Sequence, residues 1–581
     1  MNRVIGRWKW NWDRAAAQHR ARQFQRAARQ TCSGAFRESS GRASWMRGNF
    51  WLNGSMILRL CLSLLLLFPL LAADYDLLIR NARVVDGAGN PWFRADVAVK
   101  NGKIAAIGRL AAASAARTID AQGRVVAPGF IDIHTHIEDA VEKVPGGDNY
   151  VMDGVTTVVT GNCGGSESDL GAWFGKLEKI GLGLNVASLI GHNTVRREVM
   201  GLENRQAAPD EIVRMQALVE RGMRDGAVGF STGLIYIPGT YANTEEVIAL
   251  AKAAARYGGI YASHMRDEGA KVLEAITEAC QVGKQAGVPV QIAHFKISNR
   301  RLWGSSEKSI ALVEKFRREG VDVSVDQYPY DQSSTGLGIV LPSWVFAGGK
   351  LRDHLKDPPT RARLKREMLA MLKELGHKDY SYATVASFPA EKSYEGKTIS
   401  AINRMKGRKK GAKNEVDTVF DLMEDRAPQM VYHSMSLKDV ERIMRYPNAA
   451  VGSDGGIREF GAGVPHPRSY GTRSRVLAEF VRNRGVITLE DAIRKMTSLP
   501  ARTLGYRDRG MVREGYAADL VLFDPAKVQD KATFPQPHQY SEGYDLVLVN
   551  GVAVVENGKV TGARPGKVLR NPGTEYSFPI S

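Results

Sequence analysis

The chain predicts an α/β fold: a (β/α)8 barrel over residues 129–505, joined to a small β-sandwich built from both terminal segments, 74–128 and 506–581. Three observations carry this. Short apolar runs rich in β-branched residues alternate with helical patterns through the middle of the chain, the mark of βα units around a parallel sheet. Briefer alternating runs with Asn-Gly turns flank that region at both ends. Potential metal ligands recur where the apolar runs finish, the end of a barrel strand at which catalytic groups gather.

The first β segment is Asp76-Leu-Leu-Ile-Arg-Asn-Ala-Arg-Val-Val-Asp-Gly followed by Asp96-Val-Ala-Val-Lys-Asn-Gly-Lys-Ile-Ala-Ala-Ile-Gly, with Asn101-Gly102 as the hairpin turn. The far end repeats the style in Ala518-Asp-Leu-Val-Leu-Phe-Asp-Pro and Asp545-Leu-Val-Leu-Val-Asn-Gly-Val-Ala-Val-Val, so the two segments are expected to pair. Between them lie eight candidate strands, around 130–134, 156–160, 185–190, 227–231, 260–263, 288–293, 321–325 and 449–452. From about 332 to 428 the rhythm breaks, with the charged helical run Thr360-Arg-Ala-Arg-Leu-Lys-Arg-Glu-Met-Leu and the basic Lys406-Gly-Arg-Lys-Lys-Gly-Ala-Lys. This stretch is expected to be an insertion near the barrel mouth.

The bulk numbers exclude several classes. With 581 residues, 44% hydrophobic and 24% charged, the composition is that of a globular protein with more than one structural unit. The net charge of +18 suggests nucleic acid until it is located: residues 1–50 hold 11 Lys/Arg against 2 Asp/Glu, half the excess. The basic run at 406–413 lacks interleaved aromatics and reads as a solvated loop, so no nucleic-acid partner is expected.

Met56-Ile-Leu-Arg-Leu-Cys-Leu-Ser-Leu-Leu-Leu-Leu-Phe-Pro-Leu-Leu-Ala-Ala73 has the length and small-residue ending of a secretory signal. Residues 1–73 are therefore expected to be a basic leader and signal absent from a secreted, periplasmic mature protein with no stable membrane insertion, and a start at Met46 or Met56 fits a signal better than Met1. An uncleaved anchor with a basic cytoplasmic arm is the other reading. Cys61 sits inside the apolar run, which disfavours a lipoprotein. Beyond Ala73 only Cys163 and Cys280 remain, too few for a disulfide framework. Cys280 lies in a helical pattern and reads as a buried hydrophobe, whereas Cys163, flanked by glycine, carries a functional expectation.

His134 and His136 in Pro-Gly-Phe-Ile-Asp-Ile-His-Thr-His stand at i and i+2, so a strand end aims both imidazoles to one side. Cys163, His264, His294 and Asp454 end similar runs. Imidazole, thiolate and carboxylate together select a zinc-like ion over calcium or magnesium. Singly each histidine is as consistent with a buried structural residue. Together, in a chain with 11 histidines, six ligands at strand ends argue for one metal centre.

Those segments, with Gly-Asn-Cys-Gly, Ser-His-Met-Arg, Ala-His-Phe-Lys, Gly-Ser-Asp-Gly and His-Pro-Arg-Ser-Tyr-Gly, resemble the N-acyl-D-amino-acid deacylases (D-aminoacylases) of the amidohydrolase superfamily from about Tyr75 to about Arg570. Many relatives carry a carboxylated lysine where this family has cysteine, and Gly229-Phe-Ser-Thr-Gly here contains no lysine. The resemblance implies an amidohydrolase-type barrel and a tightly held Zn2+ on Cys163, His264 and His294, with His134 and His136 forming a weaker second position. It further implies Asp454 as general base and acid, and Tyr236, Lys296, Tyr328 and Arg468 as a grip on the free carboxylate of a small-molecule substrate. Tyr330 is an alternative to Tyr328, being on the same strand face. His192 is a candidate oxyanion donor or supporting residue, and His433 a similar case.

Two departures stand out. Ile137 intervenes before Glu138-Asp139, where the family runs acidic residues directly after His-Thr-His, and the loop from Asp454 to Arg468 looks lengthened and is expected to frame the substrate. The implied activity is zinc-dependent hydrolysis of an N-acyl-D-amino acid to a carboxylate and a free D-amino acid. A cyclic amidase of dihydroorotase or hydantoinase type, or a D-residue dipeptidase, would use the same metal and base. A silent binding protein on the same barrel predicts lost ligands, and all six are present.

Overall fold

The computed structural model describes residues 73–424 and 427–573; the basic leader and the apolar run to residue 72 lie outside the described residues. The chain enters through β1 (Tyr75–Val84), β2 (Phe93–Lys100), β3 (Lys103–Gly108), β4 (Ala115–Asp120) and β5 (Val125–Pro128). A single residue, Gly129, then separates β5 from the first barrel strand, and a Cβ there would lie 2.3 Å from the Thr156 side chain. Only glycine lets the terminal sheet run this closely into the barrel.

The barrel strands are β6 (Phe130–Asp132), β7 (Val155–Thr160), β8 (Asn185–Ser188) continued by β9 (Ile190–Gly191), β10 (Gly229–Gly233), β11 (Ile260–His264), β12 (Val290–Ile292) and β13 (Val323–Gln327), with β17 (Ala449–Val451) closing the ring. Each pairs in parallel with its neighbour in chain order. Every residue of β7, β8, β10, β11 and β13 is buried, as strands covered on both faces must be. The seam between the first and last strands is sewn at their C-terminal ends: Asp454 N donates to His134 O at 2.8 Å and His136 N to Gly455 O at 2.7 Å. The backbones of three candidate ligand residues thus close the barrel. The eight strands fall where the apolar runs predict them.

Between β13 and β17 residues 332–433 form β14 (Gln332–Gly336), β15 (Ala383–Ser387) and β16 (Gln429–His433), an antiparallel sheet ordered β14–β16–β15. The helices Pro358–Glu374, Ile399–Met405 and Ala412–Glu424 cover it around a separate apolar cluster that includes Leu337, Leu364, Met368, Phe420, Met430 and Tyr432. Asp357 caps the longest of these helices by accepting from Thr360 N, with Pro358 in its first turn. Because the insertion leaves from the C-terminal end of β13, it sits over the barrel mouth. In the basic run, Lys406 and Arg408 both pair with Asp421.

The chain ends in β18 (Leu520–Phe523), β19 (Tyr544–Val549), β20 (Val552–Glu556) and β21 (Lys559–Val560). β18 pairs antiparallel with β5, joining the two terminal segments in one nine-stranded sheet. Leu77, Ile79, Val97, Leu520, Leu522 and Leu548 share its core, so neither segment buries its apolar face without the other. Cys280 is buried in the helix Val272–Ala286, and burial pushes its thiol up to about 12, an inert thiol packed as a small hydrophobe.

Candidate metal centre

Five donors converge at the mouth. The Cys163 sulfur lies 3.4 Å from His134 Nε2 and 3.5 Å from His294 Nε2. The His264 and His294 rings stand 4.2 Å apart, and those of His134 and His136 5.4 Å apart. Three overlapping groups bring their donor atoms within 4.8 Å of one another: His134–Cys163–His294, His134–His136–Asp454 and His264–Glu268–His294. Cys163 therefore touches both halves of the cluster, and is placed to bridge them.

The backbone is bent to achieve this. Cys163, His294 and Asp454 have φ of 53°, 33° and 52°, a left-handed conformation that costs a residue with a Cβ on the order of 1–3 kcal/mol. Each follows a barrel strand, and the reversal turns its side chain over the barrel axis. Gly164 makes the Cys163 turn possible: a Cβ on it would lie 2.2 Å from Asn193 Oδ1. Observed strain concentrated at three donors is the signature of a built site.

Local charges suit a cation. Burial by itself would raise the Cys163 thiol, yet His134, His264 and His294 beside it hold it well below its ordinary value, favouring thiolate. Burial likewise opposes ionisation of Asp454, and Arg468 and His136 overcome it, holding the carboxyl well below the usual range. Asp454 Oδ2 is 2.9 Å from Arg468 Nη1, and Oδ1 is 3.1 Å from His136 Nε2 and 3.6 Å from His134 Nε2. Both ring nitrogens of His264 are buried without a hydrogen-bond partner. Orphaned imidazole nitrogens facing a thiolate and a second imidazole fit a zinc-like ion.

Two carboxylates complete the cluster that the ligand pattern did not reveal. Asp326 accepts from His134 Nδ1 at 3.2 Å, from His294 N at 2.8 Å and from Gln291 Nε2 at 2.6 Å, which presents His134 Nε2 to the centre. It stands one residue past the seventh expected strand, so position offered a signal. Glu268 lies 2.9 Å from His294 Nδ1, 3.7 Å from His264 Nε2 and 2.6 Å from Lys296 Nζ. In Arg266-Asp-Glu it resembles a solvated acidic residue, and only the fold reveals its burial.

The expected substrate grip is placed unevenly. Tyr236 sits 4.6 Å from the His264 ring and Tyr328 lies under the Arg468 guanidinium at 4.8 Å, its buried hydroxyl unpartnered. Both line the cavity beside the metal cluster, and Tyr330 does not. The Lys296 ammonium is not free, since it is buried against Glu268 and 2.8 Å from His294 Nδ1; an unpaired charge there would be strongly disfavoured. His192 is committed elsewhere: its Nε2 is 2.8 Å from Glu246, whose other oxygen takes Arg196, and it contributes nothing to the cavity wall. His433 is half-exposed and pairs with Asp331 at 3.4 Å.

Ile137 is buried, and Glu138 turns back to accept from Thr160 Oγ1 and Gly161 N at 2.6 Å each, away from the metal donors. The loop from 455 to 467 meets the cavity through His466, whose ring stands 6.2 Å from that of the wall residue Tyr328. It also bridges to the insertion, Val464 N donating to Ala386 O at 2.7 Å, and to the C-terminal region, Gly461 N donating to His538 Nδ1 at 3.1 Å. The insertion supplies the wall: a cavity of about 260 Å³ runs from His264, His294 and Asp454 to Met368, Met371, Leu375 and Tyr432.

A closed βα barrel with histidine, thiolate and carboxylate donors at its C-terminal strand ends has the architecture of a metal-dependent hydrolase. The family model described as "Amidohydrolase family" matches residues 117–308 and 361–555. The chain belongs to the amidohydrolase family. It is 34% identical over 519 residues to the D-aminoacylase of Alcaligenes xylosoxydans xylosoxydans, covering 85% of this chain and 97% of that one. It is 35% identical to the N-acyl-D-glutamate deacylase of the same organism, over 87% of this chain and 98% of the relative. The crystal structure of N-acyl-D-glutamate deacylase from Bordetella bronchiseptica, complexed with zinc and a phosphonate inhibitor mimicking the tetrahedral intermediate, superposes with a TM-score of 0.73 at 33% identity, over 85% of this chain and 99% of that one.

Proposed function

We propose that this protein hydrolyses N-acyl-D-amino acids to a carboxylate and a free D-amino acid, using zinc held by Cys163, His264 and His294, with His134, His136 and Asp454 offering a second position. The observation that carries the reading is the convergence of Cys163 and four imidazoles beside an ionised Asp454, in a chain one-third identical along most of its length to D-aminoacylase and N-acyl-D-glutamate deacylase. Zinc so held supplies Lewis acidity, polarising an amide carbonyl and lowering the pKa of a water to about 7.

The chain's own groups do the rest. Asp454, held ionised, takes a proton from the attacking water as the new C–O bond forms at the acyl carbon. It returns that proton to the nitrogen as the C–N bond breaks, so the amine departs neutral. Arg468 and the Tyr328 hydroxyl bind the α-carboxylate, fixing the scissile amide over the metal donors; the guanidinium exchanges part of its contact with Asp454 for the substrate. Tyr236 closes the other side. Lys296, donating to Glu268 and to the His294 carbonyl, holds that carboxylate against His294 Nδ1.

The apolar run before residue 73 supports export, and N-terminal sequencing of the mature protein is expected to begin near residue 74. The activity is tested by amine release from N-acetylated D- and L-amino acids by zinc-loaded protein. Turnover confined to D substrates agrees with the reading. Ring opening of hydantoins or dihydroorotate, without linear-amide hydrolysis, would favour the cyclic amidase.

A further inference from the structure

The segment Ile190-Gly-His-Asn ends β9 and opens the helix His192–Met200, yet its histidine has no place in the cavity wall. Its use lies one residue further on. His192 Nε2 and Arg196 engage the two oxygens of Glu246, which comes from the helix Thr244–Ala255, and all three side chains are buried. Arg196 Nη2 also donates to Arg205 O at 2.6 Å. A buried carboxylate engaged on both oxygens fixes the groups around it in one arrangement, here the first turn of the helix His192–Met200. Asn193 is carried on that turn.

Asn193 is buried, and its carboxamide serves a single turn of the neighbouring strand. Oδ1 accepts from Gly233 N at 3.3 Å, while Nδ2 donates to Gly233 O at 3.2 Å and to Tyr236 O at 3.3 Å. Gly233 is the last residue of β10, and Tyr236 N donates to Gly233 O at 2.9 Å, so the side chain closes the turn that presents Tyr236. A carboxamide offers an acceptor and a two-proton donor together, which a carboxylate of the same shape does not. The ring so presented stands 4.6 Å from that of His264, and its hydroxyl accepts from Thr335 Oγ1 of β14 at 3.1 Å, where the insertion meets the barrel mouth.

The Cys163 turn passes close to the same carboxamide but has partners of its own. Gly164 N donates to Ser231 Oγ at 3.1 Å, and Gly164 O accepts from Thr194 N at 3.1 Å. Removing the Asn193 carboxamide therefore undoes hydrogen bonds of the substrate-facing turn and spares those of the metal-facing one. We propose that Asn193 is a positioning residue for Tyr236, holding the tyrosine beside the metal centre from behind the cavity wall, with Glu246, His192 and Arg196 as its anchor. The inference rests on the deacylase reading, in which Tyr236 closes one side of the bound substrate.

The test is a double-mutant cycle on the zinc-loaded protein, read as kcat/KM for the N-acetyl-D-amino acid that the parent turns over fastest. Asn193→Ala is expected to lower kcat/KM about tenfold in the parent, because a substrate-facing group displaced by a fraction of an ångström loses its alignment. In Tyr236→Ala, where no ring remains to be placed, the same substitution is expected to cost no more than about twofold. Zinc affinity of Asn193→Ala, measured by chelator competition, is expected to stay within about threefold of the parent, short of the roughly 10–100-fold lost with a group that supports a metal ligand.

Asn193→Leu fills the space of the carboxamide, restores none of its hydrogen bonds and is expected to give the same pattern, which guards against misfolding of one variant. Equal losses in the two backgrounds, or a zinc affinity that falls along with turnover, would make Asn193 a general support of the fold and overturn the inference while leaving deacylation intact. Failure of both variants to fold, or undiminished kcat/KM in both, overturns it as well. Failure of the parent to hydrolyse any N-acyl-D-amino acid removes the deacylase reading and the inference with it.

Discussion

Asp454 is where the residue-scale argument is sharpest, because its backbone seals the barrel while its side chain faces both His136 and Arg468. Asp454→Asn retains size and the seam hydrogen bond but cannot accept and return a proton. It is expected to keep its zinc while turnover falls by about 10²–10⁴-fold; near-normal turnover would end the assignment. Glu268 has a different task. Through His294 Nδ1 it fixes which nitrogen meets the metal, as carboxylates behind ligating histidines do. Glu268→Gln is expected to weaken zinc affinity about 10–100-fold in chelator competition. Unaltered affinity would reduce Glu268 to a partner of Lys296.

The residues legible from sequence were those whose type and position both speak. His134 and His136 share a strand-end spacing that has few uses, and Cys163 stands between glycines where no helix can run. Asp326 and Glu268 escaped because an acidic side chain beside a strand end or in a charged run reads as solvated, and only tertiary packing buries it. Lys296 shows the converse: the family resemblance implied a substrate ligand, and Glu268, invisible as a partner, had claimed it.

At the scale of elements, the eight barrel strands were legible because full burial on both faces leaves uninterrupted β-branched runs. The insertion was legible as an interruption, not as the cavity wall, since which face of a helix meets a site depends on where its sheet docks. Elements also meet at Asp153, whose carboxylate accepts from Arg473 N at 2.7 Å, Ser474 N at 3.0 Å and Ser541 Oγ at 2.8 Å, tying the turn before β7 to the helix Arg468–Arg475 and the C-terminal segment.

Burial pushes the Asp153 carboxyl up to about 6 from an ordinary 3.8, against the lowering effect of Ser474 and Arg473. Between those values the folded chain holds a proton that the unfolded chain has released. Stability attributable to this group is therefore greatest at low pH and declines as pH rises from about 4 to about 6, by on the order of 2–3 kcal/mol. Urea midpoints across that range should fall less steeply in Asp153→Asn than in the parent, and parallel curves would refute the shift.

For the whole molecule, the terminal segments share one sheet, that sheet abuts the first barrel strand through Gly129, and the last strand closes the ring through the residues that carry the chemistry. Strain at Cys163, His294 and Asp454 is sustained by this closure, and a bound cation would draw on the same arrangement. X-ray absorption at the zinc edge, on protein loaded with one equivalent and active toward an N-acetyl-D-amino acid, reads the arrangement directly. One sulfur neighbour at about 2.3 Å with nitrogen neighbours near 2.0–2.1 Å is expected, the sulfur vanishing in Cys163→Ala. A shell of nitrogen and oxygen alone in the active parent protein would contradict the account.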